Sequence, residues 1–188
     1  MQSGKSEIRK REVLRLSNEA SNRVTRECIA SALILLMAET EYPRITISEI
    51  TKRAGVSRTA YYRNYACKED ILKDLLQTTI ADMHAAMDRY SYINESKKYW
   101  RELFCVTRTH AGAFTTLLKA GFGHTILDEI TRHMTRNIPE DYQKQRYDMI
   151  FWSGAVYNLL IHWLESGMQQ HEDDMAENCL YIMDHLHS

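Results

Sequence analysis

Proline and glycine are scarce, at two and seven residues in 188. So few breakers exclude a loop-rich or collagen-like chain and leave long helices free to form. Long β-branched runs are also missing, which argues against a sheet. No stretch approaches the ~18 consecutive apolar residues of a membrane span. The first 21 residues, MQSGKSEIRKREVLRLSNEAS, lack the apolar core of a secretory leader. A cytoplasmic location with no membrane partner is expected. The four cysteines, Cys28, Cys67, Cys105 and Cys179, are too scattered for a disulfide frame or a zinc site. Reduced, mostly buried thiols are expected.

Charge of one sign is lacking overall, since the net is −1, but it is unevenly placed. Residues 1–75 carry 14 Lys/Arg against 10 Asp/Glu, and residues 76–188 carry 10 against 15. A basic first part on an acidic second part suits a reader of nucleic acid followed by a part with another task. Within the first part, Lys5, Arg9, Lys10, Arg11 and Arg15 make residues 1–21 a basic extension. It reads as a disordered tail, or more sharply as an arm that adds phosphate or minor-groove contacts.

The densest pattern is ITISEITKRAGVSRTAYYRNYACK, residues 45–68. Thr46 and Glu49 fit a capping box, and Ile47, Ile50 and Ala54 share one side of the helix they open. Gly55 stands where a left-handed residue closes that helix. Val56 plugs the turn, and Ser57 caps a second helix over Arg58–Tyr65. Tyr61 and Tyr65, four apart, face inward. Arg58, Thr59, Tyr62 and Arg63 face out. Arg forks match guanine edges or phosphates, Asn matches adenine, and Tyr and Thr hydroxyls reach phosphates.

From about Val24 to Leu76 the chain resembles the TetR family of bacterial transcriptional regulators. The resemblance rests on A-G-V-S-R at Ala54–Arg58, Y-Y-R-N-Y at Tyr61–Tyr65 and K-E-D-I-L at Lys68–Leu72. Two departures stand out. Tyr61 and Tyr65 replace the Leu or Phe often found there, and Cys67 replaces the usual Ser, Asp or Asn cap. The segment G-A-V-Y-N-L-L-I-H-W-L-E-S-G-M, residues 154–168, is similar to the branch containing dihydroxyacetone-kinase operon regulators.

The resemblance implies an all-α fold with a three-helix DNA-binding head over residues 22–67. A helical effector-binding and dimerisation domain over 68–188 follows it. Arg58, Thr59, Arg63 and Asn64 are expected at base edges or nearby phosphates. Thr46, Tyr62 and Lys68 are expected to position phosphates. Ser48, Ser57 and Ala60 are expected beside them. The implied effector pocket draws on the aromatic side chains Trp100, Phe104, Phe114, Phe122, Tyr147 and Phe151.

The first helix, Asn22–Glu39, carries the stripe Val24, Cys28, Ile29, Ala32, Leu35 and Leu36. A fourth helix from Lys68 to about Tyr90 joins head to body. Five more follow, over about 96–108, 111–119, 124–136, a helix begun by Pro139-Glu140-Asp141 and ending near Ser166, and 172–186. The penultimate one is apolar on two sides. Gly154, Tyr157, Ile161 and Leu164 line one side, and Met175, Cys179, Ile182 and Leu186 of the last helix repeat the pattern. Doubled by a two-fold axis, these helices predict a four-helix homodimer interface, matching a palindromic operator. Gly154 suits close approach of another backbone.

Chemistry is hard to find. Walker, G-x-S-x-G, H-E-x-x-H and C-x-x-C motifs are missing. Glu129 with His133, and His124 with Asp128, have i,i+4 spacing but read as solvated pairs. Cys67 at a helix start beside Lys68 has the surroundings of a lowered thiol pKa and a redox switch. No enzyme activity, cofactor or metal is expected. The expected function is a sequence-specific transcriptional regulator, a repressor by family default, that binds double-stranded DNA as a homodimer and responds to an unidentified effector. The alternatives are an activator, a coregulator controlled by a protein partner, and a helical-bundle enzyme on a borrowed scaffold.

Overall fold

The computed structural model describes the backbone of residues 2–91 and 94–186, and the side chains of residues 19–91 and 94–185. The basic side chains of Lys5, Arg9, Lys10, Arg11 and Arg15, and those of Leu186 and His187, lie outside the described residues. Among the described residues the chain is all helical, and its contacts divide it into two compact units at Leu75/Leu76.

The first unit holds α1 (Gln2–Glu39), a 3-10 turn (Tyr42–Arg44), α2 (Ile47–Ala54), α3 (Arg58–Asn64) and the first turns of α4 (Lys68–Met87). The first helix therefore begins at Gln2, where a start at Asn22 was expected. With no Pro or Gly between Lys5 and Glu39, nothing in the sequence stops the helix. Its buried stripe is Ile29, Ala32, Leu33, Leu36 and Met37. Val24 and Leu35 are 54% and 52% exposed, and Cys28 is exposed, so the expected stripe is rotated by about one residue. Ile29, Leu33, Ile50, Tyr61, Ile71 and Leu72 fill the core of this unit. The Tyr61 hydroxyl is sealed in that core with no hydrogen-bond partner among the described residues, and burial pushes its pKa up to about 12. Tyr65 is also buried, but its hydroxyl donates to Asp74 at 2.5 Å.

The second unit holds the rest of α4, α5 (Ser96–Thr109), α6 (Ala111–Lys119), α7 (Gly123–Thr135), α8 (Gln143–Glu165) and α9 (Glu172–Leu186). Helix α5 packs on α9, and α7 on α8. Pro139 does not open α8. It heads a turn in which the Tyr142 N–H donates to the Pro139 carbonyl at 3.1 Å, and the helix starts at Gln143. The core is built on Trp163 and Phe104, edge to face at 5.2 Å. Met175 and Cys179 are buried in this core, which corrects their expected place on a dimer face. Cys179 is the buried cysteine; Cys67 and Cys105 are half-buried. Tyr157 also turns inward, for a Cβ added at Gly123 would sit 2.7 Å from its hydroxyl.

The α8–α9 connection is clasped by one side chain. The Arg108 guanidinium pairs with Glu172 and donates to the Met168 and Gln170 carbonyls at 3.0 and 3.1 Å. It also lies 4.8 Å from the Trp163 ring. Burial of Glu172 raises its carboxyl pKa, but its own backbone N–H and Arg108 outweigh that and hold it below 4.5. The contribution to stability is therefore full above pH 4.5 and lost as pH falls through the lowered value. Arg108→Met leaves a nearly buried carboxylate with only the His171 ring beside it, at 3.5 Å, and is expected to cost about 2 kcal/mol at neutral pH. Urea unfolding from pH 7 to 3 checks this: the gap between variant and parent should close as Glu172 is protonated.

Candidate nucleic-acid interface

Helix α3 is set by its two ends. At α2, the Thr46 hydroxyl accepts the Glu49 N–H at 3.3 Å, and the Glu49 carboxylate accepts the Thr46 N–H at 2.8 Å. The Thr46 side-chain and backbone bonds hold the Glu49 carboxyl below its ordinary range. Gly55, at φ 66°, closes α2, and the Val56 N–H returns to the Thr51 carbonyl at 3.1 Å. The Ser57 hydroxyl then accepts the Ala60 N–H at 3.1 Å and starts α3. From below, Tyr61 and Tyr65 anchor α3 in the core, with ring centres 6.0 Å apart. Arg53 fixes the end of α2 to the end of α1 through a two-pronged bond to Glu39, at 2.6 and 3.0 Å.

The upper face of α3 is left to solvent. Arg58, Thr59, Tyr62 and Arg63 are exposed. Among the described residues, Arg58 and Arg63 make no ion pair, and Arg58 donates to the Ser48 hydroxyl at 3.5 Å. Ser48 of α2 therefore borders this face. Ser57 is exposed, and Ala60 is half-buried beneath it. Asn64 turns back on its own helix, donating to the Ala60 carbonyl at 2.8 Å. The Thr46 hydroxyl hydrogen goes to the Glu49 carboxylate at 2.7 Å.

Lys68 departs most from expectation. Its ammonium donates to the carbonyls of Tyr42, Pro43 and Ile45 at 2.9, 3.2 and 3.1 Å and sits 4.5 Å from the centre of the Tyr42 ring. An ammonium has three N–H donors, and all three are committed. Lys68 straps the turn before α2 and holds no donor for a phosphate. Tyr42 completes the knot by donating to Glu69 at 3.0 Å. The sequence reading missed this knot because residues 42 and 68 are joined only by the fold. Lys52 is exposed one turn beyond Ser48 on α2.

Cys67 is not poised for redox chemistry. A hydrogen bond from the Asp70 backbone lowers its thiol pKa, but burial and the carboxylates of Asp70 and Glu69 outweigh that and push it up. Asp70 supplies the missing cap, accepting the Ala66 and Cys67 N–H groups at 3.1 and 3.2 Å.

The effector-pocket residues scatter within the second unit. Trp100 lines a cavity, Phe104 and Phe114 are packed in the core, and Phe122 is half-buried. Tyr147 and Phe151 are 68% and 65% exposed. The i,i+4 pairs do not gather ligands either, since Glu129 pairs with Arg132 and His133 stacks on His84. Among the described residues, no group of three His, Cys, Asp or Glu is assembled for a metal, and no helix is long and apolar enough to cross a membrane.

Lys68→Met is expected to lower stability by about 2 kcal/mol, because three carbonyls lose a charged donor. The slope of log affinity against log salt for DNA should stay unchanged, whereas loss of a phosphate contact would reduce it by about one. Denaturation and a salt titration of binding separate the two roles.

Residues 29–75 match the family described as bacterial regulatory proteins, tetR family. Residues 90–185 match a transcriptional regulator C-terminal region of the same group. The chain is 37% identical over 174 residues to an uncharacterized HTH-type transcriptional regulator, YxbF, of Bacillus subtilis (strain 168). That alignment takes in 85% of this chain, which spans under half, 44%, of the relative's length. A TetR transcriptional regulator from Streptococcus agalactiae 2603V shares the fold, with a TM-score of 0.57 at 20% identity, over 89% of this chain and 97% of that one. An all-helical chain with this helix-turn-helix and both matching regions belongs to the TetR family of transcriptional regulators.

Proposed function

We propose that this chain is a homodimeric repressor that reads a palindromic operator with α3 and is released by an effector held in the second unit. The observation that carries the DNA reading is the exposed face of α3. Two arginines without acid partners among the described residues stand beside Thr59 and Tyr62 on a helix fixed from below by two buried tyrosines. Arg58, Thr59 and Arg63 reach base edges or nearby phosphates. Tyr62, Ser48, Ser57 and Lys52 position the backbone. Asn64 joins them only by releasing its bond to Ala60. In the dimer the two α3 helices lie about one DNA turn apart, ~34–36 Å.

Selection from a randomised duplex library tests this. The parent should enrich a palindrome, and Arg58→Ala/Arg63→Ala should lose it while staying folded. No enrichment by a folded dimer at low salt would move the weight to the protein-responsive coregulator.

The dimer reading rests on α8 and α9. Tyr147, Ile150 and Phe151 of α8 and Tyr181 and Ile182 of α9 are large, apolar and exposed. Gly154 has open space above it, as close approach by another backbone requires. Ile161 and Leu164 continue the face, half-buried. Phe151→Glu should give a folded monomer in sedimentation, with operator affinity lowered at least tenfold, since each half-site then binds alone. A variant that stays dimeric would move the interface elsewhere. The likeness of residues 154–168 to the dihydroxyacetone-kinase regulators supports a subfamily within this reading.

A further inference from the structure

The second unit contains a two-part cleft. Its inner part is a cavity of about 40 Å³ walled by Ile80, Met83, Leu103, Ile130 and Val156. Its outer part is an open vestibule of about 360 Å³ edged by Asp88, Tyr90, Arg136, Asn137 and Met149. Met87, Tyr99, His133 and Met134 border both, so they form the neck.

The neck is chemically unusual. His133 and His84 stack at 4.2 Å, with ring planes 20° apart. The Nδ1 of His133 is sealed from water and has no hydrogen-bond partner among the described residues. Burial first, then the facing His84 ring and Arg136, bring the His133 pKa down to about 4. Burial and then Arg136 lower that of His84. Both rings are therefore neutral at pH 7. The charges at the rim are spent on each other, since Arg136 holds Asp88 at 2.5 Å.

A buried polar nitrogen without a partner is costly, and a ligand that supplies the missing bond recovers that cost. The inner walls are apolar and aromatic, and the Asp88 and Arg136 charges of the polar vestibule are paired with each other, so an ionised group drawn into the inner cavity would be desolvated without compensation. The inner cavity is too small for a ring but takes a short alkyl group. The methionines at the neck, with flexible thioethers, can shift to admit the rest.

We propose that this cleft binds an uncharged alkyl-substituted aromatic alcohol, with the alkyl group in the inner cavity, the ring at the neck and the hydroxyl bonded to His133 Nδ1 once the flexible neck side chains uncover it. The proposal rests on the effector reading above and names its ligand class. It assigns His133 as the residue that selects a hydroxyl, and the paired Asp88–Arg136 rim as the feature that turns away ions.

The test uses the full chain and three probes of one shape: 2-ethylphenol, ethylbenzene and 2-ethylbenzoate. Calorimetry should show saturable binding of 2-ethylphenol, about tenfold tighter than ethylbenzene, the worth of one recovered hydrogen bond. The His133 imidazole resonances should shift on titration, and 2-ethylbenzoate should not bind. His133→Phe should bring 2-ethylphenol down to the level of ethylbenzene. If that variant does not fold, the imidazole shift in the parent chain carries the assignment. No binding of 2-ethylphenol, tighter binding of the carboxylate, or a phenol advantage that survives His133→Phe overturns the proposal. Operator binding measured alongside keeps the two readings apart. If 2-ethylphenol binds at His133 but leaves operator affinity unchanged, the ligand class stands and the effector reading falls. If 2-ethylbenzoate binds and releases the operator, the effector reading stands and the ligand class falls.

Discussion

Everything this chain presents on α3 depends on the three-residue turn Gly55-Val56-Ser57. A left-handed glycine ends one helix, and a serine hydroxyl starts the next two residues later. A Cβ at Gly55 would meet no atom, so the demand there is conformational: at φ 66° an L side chain is strained. With the turn fixed, the direction of α3 follows, and with it the outward placement of Arg58, Thr59, Tyr62 and Arg63. The tyrosines beneath then limit rotation about the helix axis. Orientation is thus set by backbone geometry and roll by aromatic burial.

The head was legible in the sequence because its signals are local. Capping at Thr46, the closing glycine and the Ser57 cap each span no more than four residues, and the structure reproduces them. Features that need the fold were hidden. The Lys68 ammonium meets carbonyls more than 20 residues away, and the Arg108–Glu172 pair is separated by 64 residues. The α1 stripe was misplaced because apolar residues surround that helix more widely than one face, so periodicity alone offers two registers. Aromatic content misled in the same way. Residue type points to Tyr147 and Phe151 for a pocket, yet they sit on the surface of α8 beside Gly154.

Within the second unit, two surfaces divide the apolar residues between them. The face of α8 and α9 carries exposed rings and a glycine with open space, which suits a second copy of the chain. The cleft differs in character, narrowing from an open vestibule to a cavity lined by methionines and two neutral imidazoles. On the proposed reading, a contact face separate from the cleft lets one unit serve assembly and sensing without sharing residues.

The cradle around Lys68 also limits how this sequence can drift. Three carbonyls converge on one small cation, a geometry that fits a compact ammonium with rotatable donors. A guanidinium is planar and forked, and its donors point in fixed directions. Arginine, the commonest conservative exchange for lysine elsewhere, is therefore a poor replacement here. Charge alone does not define the position; the shape of the charge does.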